Sequence, residues 1–246
     1  MKKKQKPIYI ILGTRAQIIK MAPIMSMLED EGIEYELINT EQHVENMDIL
    51  LQEFGIKTKL RKLINNKNEA KSIDLFGKWM FKIFLLSINP LSIRKVFNQG
   101  RGIILTHGDT ATTAWAAIYG KLCLNKVMHI EAGMRSHNLR KPFPEELMRR
   151  ITGLFSDYHM CPDEVAVNNL KHYPGKKFNT GANTLYDSIM LANNVISTNS
   201  KEYVKIINEF KIPQKYALVS IHRYENIFKT DVLNTLVDLI ELASTT

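Results

Sequence analysis

The 246-residue chain is 45% hydrophobic and 24% charged, proportions of a globular protein that exclude a disordered, fibrous or membrane-embedded chain. Thirty-three Lys and Arg against 25 Asp and Glu leave a formal charge of +8, an excess spread along the chain that favours anionic ligands such as phosphates over nucleic acid. Cys123 and Cys161 are the only cysteines and lack metal-ligand spacing, so a disulfide framework and a zinc knuckle are both excluded and a reducing compartment is expected.

In chain order, the basic run Lys2–Lys4 precedes an apolar stretch that stops at Gly13, shorter than the roughly 7 to 15 residues of a secretory signal core. Strands are expected at Ile8–Leu12, Tyr35–Asn39, Gly102–Thr106, Lys126–Ile130, Tyr158–Met160 and Tyr216–Ile221. Helical patterns fall at Ile18–Asp30, Ile73–Leu86, Thr113–Cys123, Glu145–Phe155, Glu164–His172, Tyr186–Val195 and Asp231–Ala243. This alternation is the signature of βαβ units and a mainly parallel sheet covered on both faces. Overlapping the second of those helical patterns, Trp79–Ile88 is too short to span a bilayer and contains Lys82. It reads as a packed helix, with an amphipathic surface contact through Lys78, Lys82, Arg94 and Lys95 as the lesser alternative. A boundary is expected where Asn193-Asn194 and Ser197-Thr-Asn-Ser-Lys201 interrupt the pattern, dividing an N-terminal domain, 1–195, from a segment, 196–246, that begins a second one.

The strand ends carry the chemistry. Ligands of open parallel sheets sit outside the carboxyl ends of the strands, and here those ends lead into Gly13-Thr-Arg15, Thr40-Glu-Gln-His43, His107-Gly-Asp109, Glu131-Ala-Gly133 and His222-Arg223. A glycine turn at a helix start suits a phosphate, with Arg15 and Lys20 supplying charge, although an ordinary turn bearing solvated side chains would read the same way. Asp109 is equally a helix cap or a working carboxylate. Glu131, beside His129 and Gly133, is poorly placed for a solvated surface and reads as functional. Pro142-Phe-Pro-Glu145-Glu146 starts a helix whose first turn favours acids through the macrodipole, so a capping role for one of the glutamates stands beside a chemical one. Three carboxylates near basic groups would serve proton transfer on opposite faces of a small substrate. His222 would bind phosphate, shuttle protons, or simply be buried.

Together these segments resemble the UDP-N-acetylglucosamine 2-epimerase family. The resemblance rests on Gly13-Thr-Arg-Ala-Gln-Ile-Ile-Lys-Met-Ala-Pro23, Gln42-His43, His107-Gly-Asp-Thr110, His129-Ile-Glu-Ala-Gly-Met-Arg135, Pro142-Phe-Pro-Glu-Glu146, Gly181-Ala-Asn-Thr184 with Asp187, and His222-Arg-Tyr-Glu-Asn226. It implies two Rossmann-like doubly wound parallel-sheet domains of the GT-B type, the second incomplete here. It also implies a reversible C2 inversion of UDP-GlcNAc to UDP-ManNAc, by elimination and re-addition of UDP, with no redox cofactor and no metal. Carried over, Asp109, Glu131, Glu145 and His222 would be catalytic, and Arg15, Lys20, Asp109, Glu131 and His222 would hold the substrate. Gln42 and His43 would touch an activating second UDP-GlcNAc. A cytoplasmic homodimer, or a complementing C-terminal half, would be the partner, making precursors for surface polysaccharide, with neither nucleic acid nor membrane involved.

Two departures stand out. The family has Pro-Glu where this chain has Ala16-Gln17, and Gly where it has Glu41. The chain also ends at Thr246, before the family's second uridine- and phosphate-gripping loops, which implies a truncated or split copy with little activity unaided and apolar surface left exposed after about residue 195. The alternatives kept open are a 2-epimerase of a related UDP-sugar such as a diacetamido uronic acid, a hydrolysing form, a glycosyltransferase of the same fold, and an inactive fragment.

Overall fold

The structure, a computed structural model, describes residues 6–44, 46–66, 70, 72–89, 95–97, 100–139, 143–198, 200–211, 213, 215–217, 219–221 and 229–244. The chain divides into two units, 1–197 and 198–246. The first holds one parallel sheet of β1 (Ile8–Leu12), β2 (Glu36–Asn39), β3 (Leu60–Lys62), β4 (Ile103–His107), β5 (Lys126–Ile130), β6 (Tyr158–Cys161) and β7 (Lys176–Asn179). Its strand order is β3-β2-β1-β4-β5-β6-β7, the doubly wound arrangement in which chain progression reverses between β1 and β4. That reversal opens a crevice at the carboxyl ends of these two strands.

The sheet is buried on both faces because its central strands are apolar along most of their length, β1 at every position, and not at alternate positions. On β1, Ile10 and Leu12 pack with Met21 and Met25 of α1 (Arg15–Asp30) and with Met47 and Leu51 of α2 (Met47–Glu53). Tyr9 and Ile11 point to the opposite face. There they meet Trp79 and Ile83 of α3 (Ile73–Ile88) and Trp115 and Tyr119 of α4 (Ala111–Leu122). Each fully buried side chain of this kind contributes about 1.5–3 kcal/mol relative to exposure. The Trp79 indole also donates to the Thr40 carbonyl at 2.8 Å, fixing α3 to the carboxyl end of β2.

Beyond β5, α5 (Glu145–Phe155) and α6 (Glu164–Asn169) complete the covering, and α7 (Thr184–Thr198) is tied back to α1 by the Ser188 hydroxyl, 2.6 Å from the Ile19 carbonyl. Strands β3 and β7 and helix α2 are additions to the elements expected from sequence. Both strands lie at sheet edges, where one unpaired side and polar composition weaken the apolar signal. The 198–246 unit contains α8 (Ser200–Glu209) and α9 (Thr230–Ser244). The strand expected at Tyr216–Ile221 does not form among its described residues. A parallel strand needs a hydrogen-bonded neighbour, and no described residue of this unit is in a strand. As anticipated for this region, Tyr216, Val219, Leu239 and Leu242 are exposed. Among the described residues no helix is long and apolar enough to cross a membrane.

Candidate active site

The loop from β1 to α1 is built for close approach. A Cβ on Gly13 would lie 2.1 Å from Thr112 Oγ1 and 2.4 Å from Thr40 Oγ1, so only glycine lets β1, β2 and α4 converge here. Thr14 caps α1 in a reciprocal box with Gln17. The buried Gln17 amide is fully used: its oxygen accepts from Gly13 N at 2.9 Å, while Nε2 donates to the His107 carbonyl at 2.8 Å and to Thr113 Oγ1 at 3.0 Å. This neutral side chain therefore rivets the β1 loop to the β4 loop. Half-buried Arg15 follows the cap. Gln42 and His43 brace the same loop, His43 N donating to the Gly13 carbonyl at 2.6 Å and Thr112 Oγ1 to Gln42 Oε1 at 3.0 Å.

Across the switch point, Glu131 follows β5 in a left-handed conformation, φ 60°, one that costs a non-glycine residue on the order of 1 kcal/mol and clusters at functional sites. The conformation turns its carboxylate toward Lys20, whose ammonium donates to both oxygens at 3.0 and 2.7 Å. Asn183, from the turn before α7, donates to Oε1 at 2.5 Å. Imidazole Nε2 of His107 lies 3.1 Å from Oε2, in contact but without hydrogen-bond alignment. Gly133, φ 86°, admits no side chain, since a Cβ would sit 2.2 Å from the Ala166 carbonyl oxygen.

Asp109, two residues after His107, accepts a fork from Arg149 of α5 at 2.9 and 2.5 Å. Arg149 lies one helical turn after Glu145, on the same helix face. The neighbours Glu145 and Glu146 have separate fates. Glu146 is wholly buried, accepts from Ser136 N at 3.0 Å and from Arg150 Nε at 3.0 Å, and faces Arg135 at 4.0 Å. Burial, the largest influence on it, pushes its pKa up, but these donors and charges outweigh burial and hold it below the usual value. Glu145, half-buried, keeps a buried Oε2 with no hydrogen-bond partner among the described residues, so that oxygen is left for chemistry while its neighbour is consumed by structure.

Burial, followed by the charge of Lys20, pushes His107 down to about 3. Burial likewise pushes His129 down to about 3, with the Gly108 carbonyl, 2.8 Å from Nε2, opposing it. Both rings are neutral near pH 7. His129, conspicuous in sequence beside Glu131, thus braces the β4 loop from beneath.

Of the residues singled out from sequence, Lys20 and Glu131 are joined directly, and Asp109 adjoins them through His107. Glu145 shares its helix face with Arg149, while Gln42, His43 and Arg15 line the neighbouring loop. His222 lies outside the described residues. Sequence reading missed three members: Arg149, Asn183 and the contact of His107 with Glu131. Arg149 was accessible in principle, as the basic residue four positions after Glu145 on a predicted helix. Among the described residues no three His, Cys, Asp or Glu side chains converge as a metal set.

The chain is similar to known proteins. The family profile described as UDP-N-acetylglucosamine 2-epimerase matches residues 26–245. The UDP-N-acetylglucosamine 2-epimerase of Campylobacter jejuni is 34% identical over 90% of this chain and 57% of its own length. A crystal structure of the Neisseria meningitidis UDP-GlcNAc 2-epimerase bound to UDP-GlcNAc superposes with a TM-score of 0.79 at 31% identity, covering 97% of this chain and 63% of that one. That of the Methanocaldococcus jannaschii enzyme in complex with UDP-GlcNAc and UDP gives 0.76 at 27%, with the same coverage. The chain thus spans about three fifths of the length of these relatives.

Proposed function

The chain belongs to the UDP-N-acetylglucosamine 2-epimerase family, and from that premise we propose that it carries the carboxylate half of the epimerase site, in a domain over 1–195, and acts on UDP-GlcNAc. The observation that carries this reading is the separate anchoring of three carboxylates around one crevice: Glu131 on Lys20 and Asn183, Asp109 on Arg149, and Glu145 with an oxygen to spare.

The chemistry needs such a set. A C2 hydrogen with no adjacent carbonyl is scarcely acidic, so the C1–O bond to UDP must break first and build positive charge on the ring. A carboxylate then takes the C2 proton, leaving the glycal. Return of a proton to the opposite face of C2 and re-addition of UDP at C1 give UDP-ManNAc. Cations at the β1 loop, Arg15 and Lys20, favour the departing diphosphate, and His222 is assigned to the same task. Asp109, Glu131 and Glu145 face the sugar, where charge placed in advance acts most strongly. The loop holding Gln42 and His43 is the candidate for a second nucleotide. A cytoplasmic protein pairing with a second copy or with a complementing carboxyl-terminal half completes the proposal.

Proton NMR of UDP-GlcNAc in D₂O tests it. Deuterium entering C2 and new UDP-ManNAc signals, both lost in Glu131→Gln and Asp109→Asn, are expected. Exchange only after a carboxyl-terminal half from a longer relative is added would leave this chain as one half of a split site. Nucleotide binding without exchange in either case would refute the epimerase assignment, as would a product that depends on a sugar acceptor.

A further inference from the structure

The Glu131 carboxylate is gripped on three sides, and one grip is unexplained by charge. Lys20 supplies the counter-ion and Asn183 a neutral donor to Oε1. On the Oε2 side stands His107 at the end of β4, 2% exposed, with Nε2 3.1 Å away and no other partner for that nitrogen among the described residues. A buried ring nitrogen left unpaired is destabilising. Two arrangements are open to a neutral ring. With its proton on Nδ1, a bare Nε2 lone pair would confront a carboxylate oxygen at contact distance. The Nδ1 proton would then turn to the ring's own carbonyl, which already accepts from Gln17 Nε2 at 2.8 Å and Thr113 Oγ1 at 2.6 Å. With its proton on Nε2, the contact with the carboxylate becomes attractive; the ring gives up the bond to its own carbonyl, which keeps its donors from Gln17 and Thr113.

We propose that His107 is a positioning residue for Glu131: a neutral imidazole with its proton on Nε2, held by the Gln17–Thr113 rivet so that it fixes the carboxylate through Oε2, which it shares with Lys20, while Oε1 takes Lys20 and Asn183. The charged groups facing the ring are Lys20 from α1, Asp109 from its own loop and Glu131 from the β5 loop. Burial and Lys20 both disfavour an imidazolium. His107 therefore orients the carboxylate without neutralising it, while Lys20 remains the sole cation on Glu131 among the described residues.

The inference rests on the epimerase reading for what Glu131 does, but the test separates the two. In the complete chain labelled with ¹⁵N-histidine, two-bond ¹H–¹⁵N correlation spectra identify His107 by its loss in His107→Gln. The expected pattern is a neutral ring protonated on Nε2 from pH 5.5 to 8. A proton on Nδ1, or an imidazolium at pH 7, overturns the proposal, and this measurement needs no activity. The Glu131 carboxyl ¹³C resonance, assigned through Glu131→Gln, should move in His107→Phe and return toward its position in His107→Gln, whose amide offers a donor. A resonance indifferent to both also overturns it. Where C2 exchange is measurable, His107→Phe should lower kcat by about 10- to 100-fold with KM little changed. An inactive unmodified chain would count against the reaction assigned to the chain alone, and the ring tautomer would still decide the role of His107.

Discussion

Mild acid should destabilise this protein through its histidines well before its carboxylates titrate. His107 and His129 are each 2% exposed and pushed from about 6.5 to about 3, first by burial. Their folded values lie below the unfolded one, so between these limits the unfolded chain binds more protons. The stability they confer is complete above pH 6.5 and drains away as pH falls from there toward 3. From pH 7.5 to 5.5 each loses about 1.4 kcal/mol, and the pair about 2.7 kcal/mol. His159, lowered mainly by burial, adds to the loss with the same sign. Glu29, Glu146 and Asp157 have lowered values and lose their contributions only below the ordinary carboxylate range, outside this window. The assay is urea unfolding followed by tryptophan fluorescence, since Trp79 and Trp115 both lie in the 1–197 unit. With a slope of about 2 kcal/mol per molar urea, the midpoint should drop by about 1.3 M. His129→Gln should remove about half of that pH difference. Equal midpoints at the two pH values, or a difference unchanged in His129→Gln, would refute the reasoning.

Glu146→Gln should cost about 3 kcal/mol by unpairing buried Arg135 and half-exposed Arg150, whereas Glu145→Gln should leave the urea midpoint within about 0.5 kcal/mol while abolishing C2 exchange; a stability loss at Glu145 and none at Glu146 would reverse the division of roles. Gly133→Ala should destabilise by about 2 kcal/mol or more, because both its φ and the Ala166 carbonyl oxygen exclude a side chain; thermal unfolding measures it. Arg149→Leu should lower the exchange rate at least about tenfold by leaving Asp109 without its guanidinium, and an unchanged rate would assign that ion pair to structure alone.

Legibility in the sequence followed burial. Ile8–Leu12 and Lys126–Ile130 were read with their observed ends because a strand covered on both faces is an uninterrupted apolar run bounded by turn residues. Leu60–Lys62 and Lys176–Asn179 pair on one side only and carry Arg61, Lys62, Lys176 and Lys177, so nothing local marked them. Helix α2 lacked a start signal too: Asn46 precedes it in a left-handed conformation and makes no side-chain cap. In the site, strand-end position exposed Lys20, Asp109 and Glu131. The helical spacing from Glu145 could have marked Arg149, but not its pairing with Asp109, 40 residues away; Asn183 lies 52 residues from Glu131, a separation that no periodicity records. The pair Glu145-Glu146 was indivisible in sequence, since what separates them is the folding back of Ser136 and Arg135 onto one and not the other.

The departure at Glu41 acquires a physical meaning from the same geometry. The residue is buried with φ 56°, a conformation that glycine adopts freely and glutamate does not. Its carboxylate offsets that cost locally, accepting from Asn66 N at 2.8 Å and pairing with Lys62 at 2.9 Å. Lys62 belongs to β3, the edge strand that polar composition concealed, so the unexpected residue and the unexpected strand support each other. Glu131 repeats the device at the end of β5: a left-handed glutamate, φ 60°, turned onto a lysine. One such clamp stands on either side of β1. Each converts backbone strain into a fixed carboxylate direction. The clamp at Glu41 orders the loop carrying Gln42 and His43. The clamp at Glu131 sets the carboxylate on which the proposed proton transfer depends.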